Sequence, residues 1–199
     1  MIITSPPATL CTAEVGIIGG GFAAVAAARH LRAQGLSVIL LDRQAAVCWE
    51  AGWTMALPPG DGDDAAWTQV ATALAAEGAL AGGHLSGAAA EVAGMALLEG
   101  CGALHLGYLA PLAAECVDGR IVAVIAAARS GQVRIAADRW LDASEDGELA
   151  RLVDTGLVPD PPPTSRIAIC LQRAAWSVGP LDLGDLPGVG RARLQPGYV

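Results

Sequence analysis

The chain has no lysine; its twelve basic residues are all arginines. A Schiff base, a pyridoxal phosphate linkage and a phosphate-loop lysine are therefore excluded, since each needs an ε-amine. Cysteine is sparse and scattered. Cys11, Cys48, Cys101, Cys116 and Cys170 are odd in number and never fall in C-x-x-C spacing. Zinc ribbons and thioredoxin-like redox pairs are thus not expected, and reduced thiols in a cytoplasmic protein are. His84 and His105 have no acid or cysteine at metal-ligand spacing, so no metal site is expected. No Ser/His/Asp set can be assembled with more than chance support. Apolar runs are broken by Gly, Arg or Glu well short of the roughly 18 residues that span a bilayer. "MIITSPPATL" lacks the basic start of a signal peptide. No membrane association is expected. A formal net charge of -8 argues against nucleic acid as a partner, because phosphate binding needs a basic surface.

What is present is apolar: 53% of the residues, enough to bury a sizeable core. "EVGIIGGGFAAVAAARHLRAQGLSVILLDRQ", from Glu14 to Gln44, starts as a strand at Val15–Ile18, turns on three glycines and continues as a helix over Phe22–Gln34. Phe22, Val25, Ala28 and Leu31 share one helix face, and Arg29 and Arg32 suit the negative end of its dipole. Gly35 is a natural C′ residue, and Ser37–Leu41 reads as a buried parallel strand. Together these make a βαβ unit. After an irregular stretch over 45–62, Asp63 or Asp64 opens a helix with Trp67, Val70, Ala71 and Leu74 at helical spacing, ending near Gly78. Residues 79–102 are rich in Gly and Ala, with a helix suggested over Ala88–Leu98. A strand then falls in "ALHLGY", and an antiparallel meander follows to about residue 137, turning at Asp118-Gly119 and Ser130-Gly131. "RWLDAS" is a strand and "EDGELARLVDTG" a helix. Residues 158–165 form a proline-rich linker. "RIAICLQ" is a further strand candidate, and the tail from Gly179 shows no periodicity.

The glycine turn matches G-x-G-x-x-G/A as Gly19-Gly20-Gly21-Phe22-Ala23-Ala24. Gly19 permits the tight turn, Gly21 lets backbone approach a pyrophosphate, and small Ala24 lets helix and strand pack closely. The helix N-terminus then meets the phosphates. Asp42 closes the second strand roughly 20 residues on, the spacing for an acid that reaches a ribose 2′-hydroxyl. Its charge opposes a 2′-phosphate. Arg43 either offsets that charge or is a solvated surface residue.

"WLDASEDGELARL", Trp140 to Leu152, follows the meander. Here the chain resembles the FAD-dependent oxidoreductases of the glutathione-reductase-like superfamily, and most closely the branch whose second signature reads like "V-I-D-A-T-G-D-G-D-L-A". "DGRIVAV" (Asp118 to Val124) and "LLDRQ" add to the resemblance, which covers roughly residues 13 to 157. It implies an α/β fold: a Rossmann-like parallel sheet with helices on one face and an antiparallel β-meander on the other, as an FAD-binding domain over residues 1–157. Residues 166–199 would be a remnant of a substrate domain or an extended tail. It further implies that Gly19, Gly21, Phe22 and Ala23 surround the FAD pyrophosphate and that Asp42 holds the adenosine ribose. A backbone group near Leu112 would meet adenine, and Ala143, Ser144 and Asp146 would lie beside the ribityl and phosphate part. The family usually has glycine where this chain has Glu145. That side chain either points at the pyrophosphate or turns outward to cap the next helix. Cys48 and Trp49 occupy a stretch that in this family often approaches the flavin ring.

Two functions are carried forward. One is an FAD-binding oxidoreductase acting on a small molecule, with a second copy or a partner subunit covering the flavin. FAD is favoured over NAD because a meander stands where an NAD domain would repeat βα units. The other is a non-catalytic dinucleotide-binding or assembly subunit.

Overall fold

A computed structural model describes residues 7–52, 65–81, 84–85, 87–154, 156, 181–186 and 190–194. The glycine turn joins strand β1 (Thr9–Ile18) to helix α1 (Phe22–Ala33), and β2 (Val38–Leu41) follows. Next come a short helix α2 (Trp49–Gly52), α3 (Ala65–Ala76), a small antiparallel pair β3 (Leu80–Ala81) and β4 (His84–Leu85), and α4 (Gly87–Cys101). Then β5 (Leu104–Leu106), β6 (Ala110–Val117), β7 (Arg120–Ala128) and β8 (Gly131–Asp142) lead into α5 (Glu148–Val153). The main sheet has six strands in the order β5-β2-β1-β8-β7-β6.

The expected α/β architecture is present. β5, β2, β1 and β8 run parallel, while β8, β7 and β6 form the antiparallel meander. β8 belongs to both parts. Gly131–Ala136 pair with β7, and Arg134–Asp142 pair with β1, from Thr9↔Arg134 to Ile18↔Asp142.

Strand alternation assigns the two faces. Val15, Ile17, Val38 and Leu40 pack with Ala24, Val25 and Ala28 of α1 and Leu98 of α4. Ile18, Ile39 and Leu41 point the other way, into a cluster with Val124, Ala126 and Ile135 of the meander and Leu149 of α5. Helices thus cover one face and the meander side chains the other. Ile17, Ile18, Leu40 and Leu41 are fully buried, each worth about 1.5–3 kcal/mol of apolar transfer.

Local signals account for the turns. Gly35 (φ 85°) follows α1, and its N–H donates to the carbonyl of Arg32 at 2.9 Å. Asp118 (φ 50°) and Gly119 (φ 74°) make the left-handed pair that a two-residue hairpin needs. Three boundaries differ from expectation. β1 starts at Thr9 because β8 is long enough to pair with it that far back. α4 runs over the whole of Gly87–Cys101, where small residues carry little periodicity, and it packs by close approach. A β-carbon on Gly94 would fall 2.7 Å from the Cys48 sulfur. The tail read as aperiodic holds an antiparallel pair, β9 (Leu181–Leu186) with β10 (Gly190–Leu194). Its register shift between Ala192 and Arg193 breaks the alternation that would mark it. The linker at 158–165 and the strand read in "RIAICLQ" lie outside the described residues. Among the described residues, no helix is long and apolar enough to cross a membrane.

Candidate functional site

The C-terminal ends of β1, β2 and β8 meet at the glycine turn. The Gly19 N–H donates to the Leu41 carbonyl (2.8 Å) and the Ala143 N–H to the Ile18 carbonyl (2.9 Å), which fixes the three strand ends against one another. Gly19 has φ 113°, and a β-carbon there would lie 2.6 Å from the Ala143 carbonyl oxygen. Ala143 and Ser144 therefore pack their backbone directly on the turn. Ala24 is completely buried, as close helix–strand packing requires.

Each of the next two glycines faces a carboxylate. A β-carbon on Gly20 would fall 1.8 Å from Asp42 Oδ2. Asp42 is only 6% exposed; its Oδ1 accepts from the Gln44 N–H at 3.2 Å, and its Oδ2 has no hydrogen-bond partner. A β-carbon on Gly21 would fall 1.9 Å from Glu50 Oε1, which accepts from the Phe22 N–H at 3.1 Å. Glu50 sits on α2, and the preceding Cys48 N–H anchors that segment by donating to the Gly20 carbonyl at 2.7 Å. The N-terminus of α1 thus already holds a carboxyl group from its own chain.

Burial raises the pKa of Asp42, Glu50 and Glu148 above the ordinary carboxylate range. For Glu50, the charges of Glu145 and Asp42 push further in the same direction. For Glu148, the Arg43 guanidinium opposes the rise through a direct ion pair. Burial also pushes the Cys48 thiol far up, helped by the charges of Glu50 and Glu91, so it stays protonated and packs in the core. A nucleophilic or redox role for Cys48 has no support in this geometry.

The rest of the acid-rich segment is held by internal hydrogen bonds. Asp142 Oδ1 accepts from the Ser144 N–H (3.1 Å) and hydroxyl (2.6 Å), and its Oδ2 accepts from the Ala150 N–H (3.0 Å). The Ser144 oxygen accepts from the Glu148 N–H at 2.7 Å, capping α5. Glu145 is exposed, and these bonds leave the capping to Ser144 and Asp142.

The structure brings Gly19, Gly21, Phe22, Ala24, Asp42, Ala143 and Ser144 together at the strand ends. Ala23 is exposed on the first turn of α1, and Arg43 turns to Glu148. Asp146 is exposed, and its carbonyl accepts from Arg151 Nε at 2.9 Å. Leu112 is 45% exposed on the outermost strand, β6, three residues past Leu109, whose N–H donates to the Asp42 carbonyl at 2.9 Å. It does not join the group at the turn.

These features fit a dinucleotide: a buried, unpartnered carboxylate oxygen at the end of β2, and a helix N-terminus opened by glycines. Residues 17–52 match the NAD(P)-binding Rossmann-like domain. No curated protein matches the chain. Among solved structures, THI4 of Thermovibrio ammonificans shares the fold with TM-score 0.53 and 16% identity, over 73% of this chain and 63% of that one. The flavin-dependent brominase Bmp2 does so with TM-score 0.52 and 12% identity, over 71% and 40%. AlpK follows with 0.51 and 18%, over 71% and 33%. The chain spans less than two thirds of each. In fold, then, this is a Rossmann-like α/β domain, and the family match is confined to residues 17–52.

Sequence reasoning missed Gly20 and Glu50. Gly20 counted only as the variable second position of the motif; its need for glycine comes from Asp42 lying over it. Glu50 sits in a stretch without periodicity, and no sequence signal ties it to the start of α1.

Proposed function

We propose that the chain is the FAD-binding domain of an oxidoreductase, and that a second copy or a partner subunit walls off the flavin from water. The observation that carries this is the unpartnered Oδ2 of Asp42, buried against Gly20 at the end of β2. A buried carboxylate oxygen without a donor is costly, and a ribose hydroxyl supplies the missing donor. The meander supports FAD over NAD, since it stands where a nicotinamide domain would continue with βα units. Asp42 opposes a 2′-phosphate, and Arg43, engaged by Glu148, is drawn away from offsetting it.

In this reading Gly19, Gly21 and Phe22 present backbone to the pyrophosphate, Asp42 holds the ribose, and Ala143 and Ser144 border the ribityl chain. Bound FAD would supply hydride acceptance; the protein would supply position and electrostatics. The substrate would be a small molecule, and the setting cytoplasmic. The alternative is a non-catalytic dinucleotide-binding or assembly subunit. The gathering of Asp42, Glu50 and Glu145 beside the turn favours it, because these charges weaken the hold on a diphosphate.

Calorimetric titration of the purified chain with FAD, NAD and NADP tests the assignment. FAD binding in preference to both nicotinamides, with a visible flavin band that dithionite bleaches, is the expected result. Binding of NAD alone would move the protein out of the flavin class.

A further inference from the structure

We propose that Glu50 is a built-in competitor for the anion seat at the N-terminus of α1, so that a diphosphate enters only as the Glu50 carboxylate withdraws. The inference rests on the dinucleotide reading above. Three observations carry it. Glu50 Oε1 takes the Phe22 N–H at 3.1 Å, a donor that a pyrophosphate would otherwise use. The same oxygen lies 1.9 Å from where a Gly21 β-carbon would stand, so it fills the space that glycine leaves open. Beside it, the Oδ2 of Asp42, 6% exposed and unpartnered, is aimed at Gly20 and marks the place where a polar ligand is missing.

The segment carrying Glu50 is anchored by the Cys48 N–H on the Gly20 carbonyl at 2.7 Å and by buried Val47, Cys48 and Ala51. The backbone bond belongs to Cys48, so withdrawal of the Glu50 carboxylate does not require breaking it. Glu50 also feels the charges of Asp42 at the end of β2 and of Glu145 in the β8–α5 loop. Cys48 lies on its own segment, with Glu91 of α4 acting on that thiol. The first turn of α1 adds no acid, and α3 carries no charged residue. Burial, with the surrounding negative charge, therefore raises the pKa of Glu50 and makes its protonation easier than for an exposed carboxylate. A protonated Glu50 no longer repels a diphosphate. Affinity should rise on acidification over the range in which Glu50 takes up its proton.

The test is FAD and inorganic pyrophosphate titration of the full chain as wild type, E50Q and E50A. E50Q keeps an acceptor for the Phe22 N–H and removes only the charge, which guards against a folding defect; E50A vacates the seat. Both variants should bind FAD at least about tenfold tighter than wild type at neutral pH, a conservative expectation for removing a like charge at a few ångströms in a partly wet site. Wild-type affinity should climb as pH falls, and the E50Q profile should be flatter. Equal or weaker FAD binding by both variants would overturn the inference and leave the FAD reading standing. Pyrophosphate binding by E50A but not wild type, with no FAD bound by any of the three, would uphold the occupied seat and sink the dinucleotide reading. If E50A binds neither ligand, both ideas fall.

Discussion

Replacing Asp42 by asparagine should pull stability and binding in opposite directions. In the folded chain Asp42 is 6% exposed, with one oxygen held by the Gln44 N–H and the other unpartnered. Leaving a buried polar atom unsatisfied costs about 1–3 kcal/mol, more when it is charged. Asparagine keeps the acceptor for Gln44 and removes the charge, but it places an amide nitrogen where Oδ2 stood. A net gain of about 1 kcal/mol for the unliganded protein is expected, a rise of about 2–4 °C in Tm for a domain of this size. The pH dependence follows from the raised pKa of Asp42. The native state holds this proton to higher pH than the unfolded state does. The stability linked to it is complete below the ordinary aspartate pKa and is lost as pH rises through the native value. D42N should remove that decline. Binding should weaken instead, because a charge-assisted hydrogen bond of about 1.5–3 kcal/mol is lost, or roughly 10- to 100-fold in Kd. Thermal unfolding of both proteins from about pH 4 to 8 and FAD titration decide the matter. A D42N protein less stable than wild type at neutral pH would refute the claim that this carboxylate is held at a cost for a ligand.

Other substitutions probe the frame of the site. G19A combines a φ of 113° with a β-carbon 2.6 Å from a backbone oxygen, so it should cost at least about 2 kcal/mol and lower Tm in a melting scan. G16A would set a β-carbon 2.5 Å from the Trp140 ring; a loss of about 1–3 kcal/mol is expected, largely recovered in a G16A/W140L double variant. S144A removes the α5 cap and should cost about 1 kcal/mol in denaturant unfolding, with FAD affinity changed much less than by D42N. With a thiol alkylating reagent, exposed Cys116 should label first among the described cysteines and buried Cys48 only after unfolding, as peptide mapping would show.

The fold was legible wherever local chemistry and burial agree. Val15–Ile18 and Val38–Leu41 are continuous apolar runs because both faces of the strands are covered, one by α1 and α4 and the other by the meander. Asp118-Gly119 announced its hairpin because both positions need positive φ. Legibility failed where residues are small. α4 buries Ala90, Ala93 and Gly94, which fit by letting backbone come close and leave little apolar contrast to read. It failed again at β9–β10, where a register shift breaks the alternation.

At the site, the sequence specified the seat but not what sits in it. Gly19, Gly21 and Asp42 are picked out by spacing alone, since a glycine turn and an acid at the end of the next strand recur at fixed separations in dinucleotide-binding units. What spacing cannot report is a side chain arriving from an irregular segment. Glu50 reaches the N-terminus of α1 because α2 begins directly after the Cys48–Gly20 bond, and Cys48 adopts φ 58° to make the corner. A buried, non-glycine residue in that conformation is strained by roughly 1 kcal/mol or more. The strain is tolerated because the thiol fills the space left by Gly94 of α4. The same glycine that hides α4 from sequence reading therefore helps to place the carboxylate over Gly21. Enlarging Gly94 should disturb this indirectly. G94A sets its β-carbon 2.7 Å from the Cys48 sulfur and 2.9 Å from Val47, so the corner must shift and carry Glu50 with it. If Glu50 guards the seat, G94A should lose stability by about 1–3 kcal/mol yet bind FAD more tightly than wild type. In the G94A/E50Q double variant the affinity gain should not add, because one seat is being cleared twice. Full additivity in that cycle would mean that the corner and the carboxylate act on the ligand separately, against the reading that one positions the other.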